Sequence, residues 1–335
     1  MHPALEAAAL RRGGVFTVAD ARSAGYRPDE IRSAVGTGDW HRLRRGIYVS
    51  ARTWAAVAGD ARAKHLLDSV AVLTALGRGP VLSHSSAARF HDVVLPQGVD
   101  DVVRLTDPDQ WRTGRGYRIA AATLPAGDVV RTGPFDVTST ARTLVDVARE
   151  WSLVDSVVAV DDAIFRKRVR RSDVRAAILR QSHWVGIGVA ARVLGLSDGR
   201  AESPLESRGR LALLQAGLPR PELQVELHGP RGFVGRVDAW YEDAGVAIEF
   251  DGLVKYTDPR DGGAPSEVAW QEKRREDLIR DLDVRVVRVV HADLPRLGGP
   301  VARLRQLIAQ PLGGPRRFTV VRRPEPGSDP EHAAA

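Results

Sequence analysis

Residues 235–252 read GRVDAWYEDAGVAIEFDG, and this stretch decides the fold of the last third of the chain. Two apolar runs flank a polar turn at Asp243-Ala244-Gly245, which predicts strands over 236–241 and 246–250. Side chains alternate across a strand, so Val246, Ile248 and Phe250 share one face, and Ala247, Glu249 and Asp251 the other. Pairing as a hairpin brings Asp238 near Glu249 and Asp251. Like charges at that range cannot all stay ionised without a cation. A hard divalent ion, Mg²⁺ (or Mn²⁺), resolves the repulsion through carboxylate oxygens, a carbonyl and waters. It would also activate a water against a phosphodiester. The same residues admit a structural arrangement, with Asp251-Gly252 as a turn and Glu249 paired to an arginine.

Outward from this hairpin, the pattern predicts a helix over 204–216 and a strand over 222–227 before it. A helix over 267–282, a strand over 284–290 and a helix over 301–309 follow. Residues 196–204 are rich in Gly, Ser and Pro and read as a linker. Residues 313–335 are rich in Pro and Arg, and their composition predicts a disordered tail.

Several strings in this unit resemble the Vsr-like endonuclease-related families of the PD-(D/E)XK superfamily. They are ESPLESRGRLALLQAGLPRPELQ, RVDAWY, VAIEFDG and EKRREDLIRDLDVRVVRV, in that order over roughly residues 202–295. The resemblance implies a metal held by Asp238, Glu249 and the backbone carbonyl of Phe250. It implies Glu206 as an aid to the metal or its water, against the alternative that Glu206 pairs with Arg210 one helical turn on. Gln224 would orient a water or phosphate, or be an ordinary strand side chain. The superfamily's lysine belongs two residues after Glu249, and Asp251 stands there instead. Lys255 is the candidate substitute, with Lys273 and Arg274 as alternatives and Tyr256 beside them. Only four lysines occur in the chain, which favours a role for Lys255. The expected catalytic set is therefore Glu206, Asp238, Glu249, Asp251 and Lys255.

The first 52 residues have a different pattern. Helix formers over 4–12 stop at Gly13-Gly14, Thr17 can cap a second helix ending at Gly25, and Pro28 opens a third. WHRLRRGIYV reads as two strands around Arg44-Arg45-Gly46. Three helices and a hairpin are the order of a winged helix-turn-helix. Nine arginines outnumber five acids here. In such a domain the third helix enters the major groove and the wing touches the backbone or minor groove. That assigns Arg27 and Arg32 to the helix contact, and Arg42, Arg44 and Arg45 to the wing. The string VFTVADARSAGYRPDEIRSAVGTGDWHRLRRGIYV resembles the N-terminal domain of AbiEi-type antitoxins of type IV toxin–antitoxin systems. LSHSSAARFHD and VTSTARTLVDVARE resemble the segment that follows in relatives. The resemblance implies DNA as partner, and a cognate toxin.

Residues 53–195 predict a mixed α/β segment. Helices are expected over 61–76, 139–149, 154–165 and 172–179, and strands over 102–105 and 117–121. Ser83 is a candidate cap for a helix through Ala87 and Phe90. Ser83, His84 and His91 read as cap and packing residues.

Composition sets the outer bounds. The chain has 335 residues, 43% of them apolar, with a net charge of +7 and no cysteine. The absence of cysteine excludes disulfides and thiolate metal sites, and the basic balance favours a polyanion. No apolar run approaches the roughly 20 residues needed to span a bilayer, and the N-terminus lacks a secretory apolar core, so no membrane partner and a cytoplasmic location are expected. A homodimer is compatible with a winged-helix regulator. The expected fold class is α/β multidomain: a winged helix (1–52), an α/β middle domain (53–195), and a restriction-endonuclease-like mixed sheet flanked by helices (202–312).

Overall fold

The computed structural model describes residues 1–251, 274, 275 and 277–326. Lys255, Tyr256 and Lys273 lie outside the described residues. The chain divides into two units, Met1–Asp155 with Asp173–Ala191, and Ser156–Ser172 with Arg192–Ala335.

The first unit begins with α1 (Pro3–Arg11), β1 (Val15–Thr17), α2 (Val18–Ser23), α3 (Pro28–Gly36), β2 (Trp40–Arg44) and β3 (Ile47–Ser50). The three strands form an antiparallel sheet in the order β1-β3-β2. A reciprocal cap starts α2: the Thr17 amide donates to Asp20 at 2.8 Å and the Asp20 amide to Thr17 Oγ1 at 3.1 Å. Phe16, Trp40 and Tyr48 close one core with Leu5 and Ile31. The other face, Val15, Ile47 and Val49, packs on Leu67, Val70 and Ala71 of α5 (Ala61–Leu76). The winged helix thus shares apolar surface with the following segment. That is why residues 1–52 fall in one unit with most of the expected 53–195 segment.

The rest of this unit holds a six-stranded mixed sheet. Its strands are β4 (Val81–Leu82), β5 (Val103–Asp107), β6 (Arg112–Gly114), β7 (Tyr117–Ala121), β8 (Val129–Arg131) and β9 (Asp136–Thr138), in the order β6-β7-β5-β4-β9-β8. The sequence pattern predicts only β5 and β7, because strands of two or three residues carry no readable period. Ser83 does not cap α6 (His84–Phe90) through its side chain. Its hydroxyl accepts from Thr106 and bonds His84 Nδ1, both at 2.8 Å, in a buried polar network.

The second unit carries α11 (Pro204–Gln215), β10 (Glu222–Gly229), β11 (Gly232–Tyr241), β12 (Val246–Asp251), β13 (Arg285–Val290), a closing helix Gly298–Ile308 and β14 (Thr319–Val321). The sheet order is β13-β12-β11-β10-β14. β12 and β13 run parallel, while the other pairs are antiparallel. A parallel pair requires a crossover, and helical residues 274, 275 and 277–280 lie within that connection. Leu213, Ile248, Phe250, Val289 and Leu304 fill one side of the sheet, and Val225, Trp240, Ile279 and Phe318 the other. Gly209 lets α11 lie against β12: a Cβ there would stand 2.1 Å from Phe250 Cε1.

Two expectations are corrected in this unit. Residues 156–172 belong to it, because Asp161 on the helix Leu153–Phe165 accepts from Arg210 Nη2 at 2.9 Å and Ser207 Oγ at 2.8 Å. The segment from Gly313 is not a disordered tail through its described length, to residue 326. β14 adds to the edge of β10, and Arg171 grips Glu325 with two bonds of 2.7 Å.

Candidate functional site

The acidic centre sits where α11 meets the β10–β11–β12 meander. Ser203 caps α11, accepting from the Glu206 amide at 3.2 Å. The Glu206 carboxylate folds back to accept from Ser203 Oγ at 2.8 Å and from the Glu202 amide at 2.9 Å. This cap turns Glu206 inward, where it is 6% exposed. Arg210, the alternative partner for Glu206, is fully buried and bound instead to Asp161.

Gln224 bridges the acids. It lies on β10 between the Leu223–Ala239 and Val225–Val237 pairs, level with Asp238 on β11. Its Nε2 donates to Glu206 at 2.8 Å and, more weakly, to Asp238 at 3.4 Å. Its Oε1 is buried and has no hydrogen-bond partner among the described residues. Its backbone has φ +53°, a left-handed conformation unusual for a strand residue and typical of sites that hold strain.

Asp238 and Glu249 lie on neighbouring strands, each one residue beyond the last registered pair, Ala239 with Ile248. The Asp238 carboxylate is steadied by the Phe250 amide at 2.8 Å. Glu249 is 8% exposed and accepts from Arg275 Nη2 at 2.9 Å, while Arg275 Nη1 donates to the Arg236 carbonyl at 2.7 Å. Gly235 leaves room for this arginine, since a Cβ there would meet Arg275 Cγ at 3.2 Å. Asp251, at the end of β12, faces a looser pairing with Arg288 at 3.8 Å.

The electrostatics are unbalanced at Glu206. Burial, aided by the charge of Asp238, pushes its carboxyl up to about 7, against the pull of bonds from Glu202, Ser203 and Gln224. Among the described residues, no three His, Asp or Glu side chains are grouped as ready metal ligands. The oxygen donors that a hard cation would take here are the Asp238 and Glu249 carboxylates and the Gln224 amide oxygen, which has no partner among the described residues.

Of the residues the sequence singled out, Glu206, Gln224 and Asp238 are joined by hydrogen bonds, Glu249 lies on the adjacent strand bound to Arg275, and Asp251 pairs with Arg288. The sequence did not single out Arg275. The signal was present, since Ile279 and Leu282 mark the buried face of that helix, and Arg275 lies one turn before Ile279.

The basic residues of the winged helix divide into two groups. Arg32, Arg42 and Arg45 are exposed. Arg27 is exposed too, with long contacts to Asp29 at 3.6 Å and Glu30 at 3.9 Å, pairs of small energetic weight. Arg44, the remaining expected wing contact, is half-buried. Its Nη2 donates to the Arg115 carbonyl at 3.0 Å and its guanidinium lies 5.7 Å from the Tyr117 ring. The Tyr117 ring and the Arg115 carbonyl anchor the half-buried guanidinium.

Among the described residues, no helix is long and apolar enough to cross a membrane. Two uncharacterized proteins of Mycobacterium tuberculosis, MT2308 of strain CDC 1551 / Oshkosh and Rv2248 of strain ATCC 25618 / H37Rv, are 33% identical to this chain over 165 residues. The match covers 49% of this chain, which spans 58% of the length of those relatives. The crystal structure of the RV2827C protein from Mycobacterium tuberculosis is similar over 67% of this chain and 85% of that one, with 16% identity and a TM-score of 0.35. Residues 3–51 match the family model described as a transcriptional regulator, AbiEi antitoxin. Residues 3–51 are therefore similar to an AbiEi antitoxin-like transcriptional regulator domain.

Proposed function

We propose that this chain binds DNA through its winged helix and hydrolyses phosphodiester bonds at the acidic centre of its second unit. The observation that carries this reading is the link from buried Glu206 through Gln224 to Asp238, with buried Glu249 on the neighbouring strand. The order α11, three-stranded meander, helical crossover and parallel β13 supports it, as does the resemblance to PD-(D/E)XK nucleases.

Asp238, Glu249 and the Phe250 carbonyl would hold the divalent ion, Mg²⁺ or Mn²⁺. When bound, such an ion polarises the phosphate and lowers the pKa of a coordinated water. The chain's own groups do the rest. Gln224 and the Phe250 amide fix the Asp238 carboxylate in place. Glu206, with its carboxyl near 7, is poised to take a proton from an attacking water at neutral pH. Arg275 brings a positive charge beside Glu249, where it can meet a phosphate oxygen. Asp251 and Lys255 remain candidates for the lysine position.

The test is cleavage of plasmid and single-stranded DNA with Mg²⁺ or Mn²⁺, wild type against Asp238→Ala plus Glu249→Ala. Metal-dependent cleavage that disappears in the double variant supports the proposal, and wild type without cleavage sinks it.

A second reading has its own support. The regulator-domain match and the Arg275–Glu249 ion pair favour a non-catalytic, antitoxin-like repressor of a toxin–antitoxin operon. It would partner a cognate toxin and bind DNA, as a homodimer on a palindromic site. Retarded migration of its own upstream DNA, with no cleavage, would select this reading.

A further inference from the structure

The turn of the wing abuts a second hairpin. β6 and β7 are joined at Arg115-Gly116, and Arg44 of the wing donates to the Arg115 carbonyl at 3.0 Å. Arg44 and Arg112 both lie against the Tyr117 ring, 5.7 and 5.9 Å from its centroid. Gly116 makes this approach possible: its φ is +75°, and a Cβ there would stand 3.3 Å from Arg44 Nη2. Residues 110–118, QWRTGRGYR, contain three arginines and no acid. Arg112 and Arg115 are exposed, and Trp111 is 72% exposed. The register pairs Arg112 with Ile119 and Thr113 with Arg118, so Arg112 lies on the Tyr117 side and Arg118 on the opposite side.

We propose that the β6–β7 hairpin is a second DNA-backbone contact, which Arg44 joins to the wing so that Arg42, Arg45, Arg112 and Arg115 act as one phosphate-binding ridge. The inference rests on the DNA-binding part of the proposed function and extends it beyond the winged helix. Arginine suits this use, because its fork binds phosphate oxygens in pairs. The exposed Trp111 indole beside it offers an apolar face to deoxyribose. Arg44 acts as a positioning residue here: its Nη2 bond to the Arg115 carbonyl and its place against Tyr117 hold one hairpin tip against the other.

The experiment uses the full chain and a fluorescein-labelled random-sequence 30-bp duplex, with anisotropy followed across a salt series in EDTA. Each lost phosphate contact lowers the slope of log K against log salt by about 0.9. Arg112→Gln plus Arg115→Gln is expected to lower that slope by roughly 2 and to weaken binding roughly tenfold to a hundredfold near 0.1 M salt. Arg118→Gln, on the opposite side, is expected to leave both unchanged. All the substituted side chains are exposed, so near-UV circular dichroism should match wild type. The inference is overturned if the double variant keeps the wild-type slope and affinity while Arg42→Gln plus Arg45→Gln loses binding, an outcome in which the winged-helix reading survives. If the wild type itself fails to bind the duplex, both fall together.

Discussion

Helix α11 sends buried charged groups in two directions, and they meet opposite fates. Arg210, fully buried, finds Asp161 at 2.9 Å, with Ser207 and the Asp198 amide completing the acid's bonds. Every charge there has an opposite charge. Glu206, on the same helix, finds Asp238, another acid, with Gln224 bonded to both. The first cluster is what a fold needs to tie one helix to the next. The second works against folding, since burial and a like charge both oppose ionisation. Groups held that way are where pKa values suited to catalysis arise.

The largest effect should come from breaking the balanced cluster. Arg210→Met strands a buried Asp161, at a cost of about 3–5 kcal/mol, measured by urea denaturation. A cost below about 1 kcal/mol would mean that Asp161 readily takes a proton and that the contrast between the clusters is false. Next comes Gly209→Ala, which drives a methyl into Phe250 and should cost about 1–3 kcal/mol as overpacking. It should also disturb the Phe250 amide bond to Asp238 and so weaken any metal response.

Glu206→Gln should act in the other direction, with a pH signature. The folded chain holds the Glu206 proton up to about 7, against an ordinary 4.5. The stability contributed by this tighter proton binding is fully present below about 4.5 and is lost as pH rises through about 7. The variant, having no charge to bury, should therefore melt at a higher temperature than wild type at pH 8, and the difference should shrink at pH 4. Equal melting temperatures at pH 8 would place Glu206 in the structural class. Smallest on stability should be Asp238→Asn, within about 1 kcal/mol, because an amide oxygen can still accept from Phe250. Its effect should appear in ligand linkage instead. Mg²⁺ should raise the melting temperature of wild type and leave that of Asp238→Asn unmoved; an equal rise in both would remove Asp238 from the metal site.

Much of the second unit was legible in the chain. Alternation around Asp243-Ala244-Gly245 is local, and it was enough to place Asp238 and Glu249 on paired strands. The winged helix was legible for the same reason, since Thr17, Pro28 and the Arg44-Arg45-Gly46 turn signal through their own neighbours. The short strands β4, β6, β8 and β9 were not, because two or three residues exist as strands only once flanked by others.

The sequence by itself determined which residues lie near Asp238 along the strands and which segment carries the basic wing, because strand period, caps and turns act over a few residues. Only the tertiary structure decided how those charges are used. It gave Arg210 to Asp161 rather than to Glu206, set Arg275 on Glu249, and placed Arg44 against Tyr117 and the Arg115 carbonyl. A long, flexible cation is promiscuous in sequence. Its partner is chosen by whichever desolvated acid, carbonyl or ring the fold brings within reach.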